Sequence, residues 1–129
     1  MEGAQKKVLI VDDSEFVHRI CRVTLAKFKD CAVLDAMNGF EGIEVLSREG
    51  AVDLILLDLN MQVMNGFEFM EKLKGISRWR KIPIIVISSE KKDEDKDKAL
   101  KLGAWAYVEK AKPEALQGLI EHALGGKSH

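Results

Sequence analysis

The sequence predicts an α/β domain, a doubly wound five-stranded parallel sheet with helices on both faces. Three observations lead there. Five short apolar runs recur, at Val8–Val11, Ala32–Ala36, Leu54–Leu57, Ile84–Ile87 and Ala106–Val108, and several are rich in Val and Ile, as strands are. Between them apolar residues return at helical spacing. Strand and helix therefore alternate, which implies parallel strands with helices covering both faces. A chain of 129 residues suits one such domain and leaves no room for a second.

Each element has its own reason. The first strand ends in Asp12-Asp13, and Val17, Ile20, Cys21, Thr24, Leu25 and Phe28 form the stripe of the first helix. His18 lies off that stripe and is expected on the surface. The second strand leads to a helix whose stripe begins at Ile43 and Leu46. The third, Leu54–Leu57, reads as a strand buried on both faces and ends in Asp58. Phe69, Met70 and Leu73 mark the third helix, and "RWRK" (Arg78–Lys81) is expected to close a helix, where positive charge is favourable. The fourth strand ends in Ser88-Ser89. The helix after it is weak, with apolar positions only at Ala99, Leu100 and Leu102, and Gly103 ends it. Its charge run, Glu90–Lys98, reads as a solvated face with Glu94–Lys98 and Asp97–Lys101 in the favourable order. The fifth strand ends in Glu109-Lys110. Pro113 opens the last helix, Leu116, Leu119, Ile120 and Ala123 form its stripe, and Gly125 stops it.

Composition narrows the function. Apolar residues are 47% and charged residues 32%, with a net charge of −1, so direct nucleic-acid binding is not expected. The apolar runs are too short to span a bilayer, and polar Met1–Lys7 is no signal peptide. Cys21 and Cys31 form no CxxC pair, and Cys21 falls in the first helix's core stripe. A reducing cytoplasm is the simplest compartment.

In an open parallel sheet, ligands bind outside the carboxyl ends of the strands. Here that edge collects Asp12, Asp13, Asp58, Ser88 and Lys110. Singly, an Asp or Ser after a strand is often only a helix cap. Together they demand more, because a like-charged pair at about 4 Å costs on the order of 4 kcal/mol at an effective dielectric of 20. Lys110 supplies one positive charge, and a divalent cation with oxygen ligands such as Mg²⁺ would supply the rest. A carboxylate there could attack phosphorus to form an acyl phosphate, with the lysine and a serine hydroxyl on the phosphoryl oxygens.

The pieces "VLIVDDS", "DLILLDLNMQVMNGFEF", "IPIIVISSE" and "GAWAYVEK" resemble the response-regulator receiver domains of the CheY-like family, from about Lys7 to Leu124. The resemblance implies a flavodoxin-like sheet in the order 2-1-3-4-5 and a single receiver domain over 1–129; only "GGKSH" follows Leu124, so no output domain is expected. It implies Asp58 as phosphoryl acceptor, Asp13 as a direct Mg²⁺ ligand, Asp12 as a ligand through water and Asn60 as a backbone ligand. Ser88 and Lys110 would contact the phosphoryl oxygens, Tyr107 would be the aromatic switch, and Gly66 would open the third helix. Trp105, beside Tyr107 on the edge strand with no obvious core partner, is open to partner binding or to simple packing and would report on the switch, with Trp79 far from it. The donor would be a histidine kinase or phosphotransfer protein, and output would pass by contact of the helix 4–strand 5–helix 5 face with an unidentified downstream protein. Such a domain catalyses its own phosphorylation and dephosphorylation.

Two family prolines are missing. Gln62 stands four residues after the acceptor, which predicts a looser loop. Ala111 follows Lys110, and a cis bond before a non-proline costs about 2.5–4 kcal/mol, so a trans bond and a compensating turn are expected. A phosphatase of the haloacid-dehalogenase type is a rival reading, but its nucleophile lies in a DxD at the first strand, and this first strand ends in none. A receiver-like module that is never phosphorylated is the other rival, and the complete acid, hydroxyl and lysine set speaks against it.

Overall fold

Each apolar run becomes a strand because its neighbours bury it, and each amphipathic segment becomes the helix that does the burying. The computed structural model describes residues 5–89, 92–110 and 112–125. In chain order the elements are β1 (Lys6–Val11), α1 (Glu15–Leu25), β2 (Cys31–Ala36), α2 (Gly39–Glu49), β3 (Leu54–Leu57), α3 (Gly66–Lys74), β4 (Ile84–Ser88), α4 (Asp93–Lys101), β5 (Ala106–Glu109) and α5 (Pro113–Ala123). The sheet order is β2-β1-β3-β4-β5, with every neighbouring pair parallel. This is the expected doubly wound, CheY-like arrangement.

Alternate residues of the central strands feed two cores, since successive side chains of a strand point to opposite faces. Leu9, Val11, Ile55, Leu57 and Val86 pack with Leu46, Phe69, Met70, Leu73 and Ala99, under α2, α3 and α4. Val8, Ile10, Leu54, Leu56, Ile85 and Ile87 pack with Val17, Cys21, Leu25, Leu116 and Ile120, under α1 and α5. Cys21 belongs to this second core as expected, and burial pushes its thiol up to about 12. Pro113 opens α5, and Gly103 follows α4 at φ +106°.

Register positions the carboxyl edge. Val11 pairs with Leu57, so Asp12 and Asp58 leave the sheet side by side. Ser88 pairs with Glu109. The ladder runs one residue further, where the Lys110 N–H donates to the Ser88 carbonyl at 2.8 Å.

Two expectations are corrected. His18 is not an exposed surface residue; it is buried, at 6% exposure. Positions 18, 21 and 25 share one helical face, so His18 extends the buried stripe of α1. "RWRK" does not close a helix: α3 ends at Lys74, capped by Gly75, and Arg78–Lys81 lies in the turns beyond. Trp79 is buried at 2% exposure in the first core, with the Arg78 guanidinium 4.8 Å from its ring centroid. Burying the large indole favours these turns, at the cost of an Nε1–H that is buried with no hydrogen-bond partner among the described residues. Tyr107 packs against the same core, so Trp79 shares the hydrophobic cluster of the tyrosine. The expected trans bond after Lys110 falls on Ala111, and the start of the charge run on Glu90 and Lys91, all outside the described residues.

Candidate functional site

The site grows from three strand ends. After β1 the chain turns into α1, whose N-cap is Ser14, its hydroxyl accepting from the Val17 N–H at 3.3 Å. The Asp12 carboxylate accepts from the Ser14 N–H at 2.9 Å, which aims it inward. After β3, the Asp58 N–H donates to the Val11 carbonyl at 3.0 Å. The carboxylate oxygens of Asp12, Asp13 and Asp58 lie within 4.8 Å of one another, Asp12 and Asp58 buried and Asp13 exposed. The Lys110 ammonium group reaches both buried acids, 3.6 Å from Asp12 and 3.8 Å from Asp58.

The electrostatics show that Lys110 does not balance the cluster. Burial, then the Asp58 charge, pushes the Asp12 carboxyl up to about 6. Burial raises Asp58 as well, against the pull of Lys110 and of the Asn60 and Leu59 main-chain N–H groups. Burial of two like charges side by side, each shifted toward its protonated form, favours further positive charge at the site. Oxygen-only donors, one of them open to solvent, suit a hard cation such as Mg²⁺.

The loop after Asp58 has its own anchors. Gly66 opens α3 against Asp58: a Cβ there would stand 2.6 Å from the Asp58 carbonyl oxygen and 2.8 Å from the Leu59 Cα. Asn65 and Glu68 close the helix start with a reciprocal capping box. Met61 and Met64 are each 5% exposed. Gly39 lets α2 close onto this loop, since a Cβ there would meet Met64 at 2.6 Å. Burial of two methionines thus ties down the loop in which Gln62 replaces the family proline.

The remaining expected residues separate by location. Asn60 is exposed in the loop after Asp58, and its main-chain N–H bonds the Asp58 carboxylate. Ser88 is buried at the end of β4. Tyr107 is half-buried opposite Val86 and lines a groove of about 180 Å³ with Lys96, Val108, Glu109 and Lys112. Trp105 is 44% exposed just before β5. Sequence reasoning missed His18, whose Nε2 lies 2.8 Å from the Asp12 main-chain oxygen. Its helical spacing to Cys21 and Leu25 was the available signal.

Known proteins converge on the same architecture. A family model for the response regulator receiver domain matches residues 8–122. The chain is 36% identical over 120 residues to the chemotaxis protein CheY1 of Helicobacter pylori, covering 92% of this chain and 97% of that protein. It is 33% identical to a chemotaxis protein CheY homolog of Campylobacter jejuni, covering 92% of each. The crystal structure of the chemotaxis protein CheY4 of Vibrio cholerae superposes with a TM-score of 0.84 at 31% identity, over 94% of this chain and all of that one.

Proposed function

The chain belongs to the response regulator receiver family, and on that premise we propose that Asp58 accepts a phosphoryl group from the phosphohistidine of a sensor kinase or phosphotransfer protein. The observation that carries this reading is the convergence of Asp12, Asp13, Asp58 and Lys110 at one edge of the sheet. An Asp58 carboxylate oxygen attacks phosphorus, the bond from phosphorus to the donor imidazole nitrogen breaks, and an acyl phosphate results. Asp13, Asp58, Asp12 and the Asn60 carbonyl would hold Mg²⁺. Bound Mg²⁺ neutralises charge on the transferring phosphoryl oxygens. Lys110 and Ser88 contact the same oxygens. The β4–β5 ladder presents Lys110 without help from a proline after it.

Phosphorylation then biases the face built from α4, β5 and α5, where Tyr107 acts as the switch and Trp105 lies exposed beside it, and a downstream protein reads the change. The chemotaxis relatives support a chemotaxis role for that partner. Among the described residues no helix is long and apolar enough to cross a membrane. Free Cys21 and Cys31 are consistent with a cytoplasmic site of action.

Acetyl phosphate with Mg²⁺ tests the reading by intact mass. The wild-type protein gains one phosphoryl group, Asp58→Asn gains none, and Asp13→Ala gains it far more slowly. Modification of Asp58→Asn at the wild-type rate would sink the assignment.

A further inference from the structure

The proposed phosphoryl chemistry makes no use of the buried histidine of α1. His18 Nδ1 lies 2.6 Å from an Asp35 carboxylate oxygen on β2, and Nε2 lies 2.8 Å from the Asp12 main-chain oxygen. Arg22, one turn further along α1, pairs with the second Asp35 oxygen. Both ring nitrogens therefore face oxygens that only accept, and Nε2 is placed to donate to the Asp12 carbonyl. Burial pushes the Asp35 carboxyl up, but its hydrogen bonds to His18 and Arg22 outweigh that and hold it below the usual range.

The Asp12 carbonyl is the informative end of this chain. It belongs to the peptide that joins Asp12 to Asp13, so its direction sets where both carboxylates point. The N–H of Asp12 is held by the Ala36 carbonyl at 3.1 Å, and its carboxylate by the Ser14 N–H. Among the described residues, its carbonyl faces His18 Nε2. Without that contact Asp12 loses one of its three attachments, and a buried carbonyl without a partner favours rotation toward water.

We propose that His18 is a positioning residue for the acidic cluster. Its ring acts as a strut that braces the Asp12–Asp13 turn against Asp35 and Arg22, and so holds the carboxylates at the spacing a divalent cation needs. The proposal rests on the reading of Asp12, Asp13 and Asp58 as a Mg²⁺ site. Groups that orient metal ligands in this way commonly account for a tenfold or larger share of metal affinity.

Direct titration of Mg²⁺ by calorimetry provides the test, with no phosphorylation required. His18→Leu fills the space without a donor, whereas His18→Gln places an amide N–H near the position of Nε2. His18→Leu should weaken Mg²⁺ binding on the order of tenfold, and His18→Gln should recover most of that loss. The amide resonance of Ser14, bonded to the Asp12 carboxylate, should move in His18→Leu and stay near its wild-type position in His18→Gln. Should His18→Leu fail to fold, Asp35→Ala removes the acceptor at the far end of the strut and should weaken Mg²⁺ binding in the same direction. A wild-type Mg²⁺ affinity in His18→Leu, or equal losses in the Leu and Gln variants, overturns the proposal. If the wild-type protein takes up no Mg²⁺, the metal reading itself falls and the strut falls with it.

Discussion

Helices α1 and α4 flank the same sheet and differ little in length, yet they are held in different ways. α1 is capped by Ser14 and buries Val17, His18, Cys21, Thr24 and Leu25. α4 buries only Ala99. Its N-cap position holds Lys92, whose ammonium group cannot accept from the helix N–H groups. α4 relies instead on Asp93, Glu94 and Asp95 in its first turn and Lys98 and Lys101 in its last, which complement the helix dipole. Toward α3, the Lys98 ammonium lies 4.4 Å from the Phe67 ring centroid. The helix beside the acid cluster is thus part of a rigid frame. The helix on the proposed output face is thinly anchored, as an element that must shift at low cost should be.

Core substitutions give the largest expected contrast. Leu25→Ala, at a position 1% exposed, should destabilise by about 2–5 kcal/mol. Leu100→Ala, at a position 42% exposed on α4, should stay within about 0.5 kcal/mol. Urea unfolding of both variants measures the difference, and equal losses would erase the distinction between the two helices.

The frame also carries a strain that the metal-free protein should reveal. The folded state holds the Asp12 proton up to about 6, whereas an unfolded chain releases it near 4. Between those values the unfolded state has bound fewer protons, so stability falls as pH rises from about 4 to about 6 and then levels off. The raised Asp58 acts in the same direction. In EDTA, Asp12→Asn should flatten this fall and leave the protein more stable at neutral pH by on the order of 2 kcal/mol. Denaturant midpoints across this pH range measure it, and a wild-type profile that rises with pH would contradict the electrostatics.

The smallest effect belongs to the adjustable face. Beryllofluoride with Mg²⁺, mimicking the acyl phosphate, should alter Trp105 fluorescence while the α1 side stays unchanged. Because Trp79 shares the core against which Tyr107 packs, the two indoles must be separated by substitution. Trp79→Phe should keep the response and Ser88→Ala should weaken it. A signal that vanished in Trp79→Phe and survived in Trp105→Phe would move the reporter into the core and away from the output face.

Much of this arrangement was legible in the chain itself. Leu54–Leu57 is β3 to the residue, because an all-apolar run closed by an acid has clear ends. β1 begins earlier than its apolar run, at Lys6, because pairing of Lys6 with Cys31 on β2 draws a polar residue into the ladder. The acids at Asp12, Asp13 and Asp58 could be placed on one edge because parallel strands end on the same side. Lys110 could be placed there too, although the missing proline left its approach open until the β4–β5 ladder supplied it.

By itself, then, the sequence determined what depends on neighbours along the chain: the alternation of strand and helix, the helix ends at Pro113 and Gly103, and the acids that close the apolar strands. Periodicity and capping act over a few residues, so they can be read without a fold. Only the tertiary structure decided what depends on partners distant in sequence. His18 is buried because Asp35 and the Asp12 carbonyl arrive from two strands to satisfy its ring, and Trp79 because the core under α3 and α4 has room for it. Burial of a polar or very large side chain is settled by what meets it in space, and helical spacing alone carries no record of that partner.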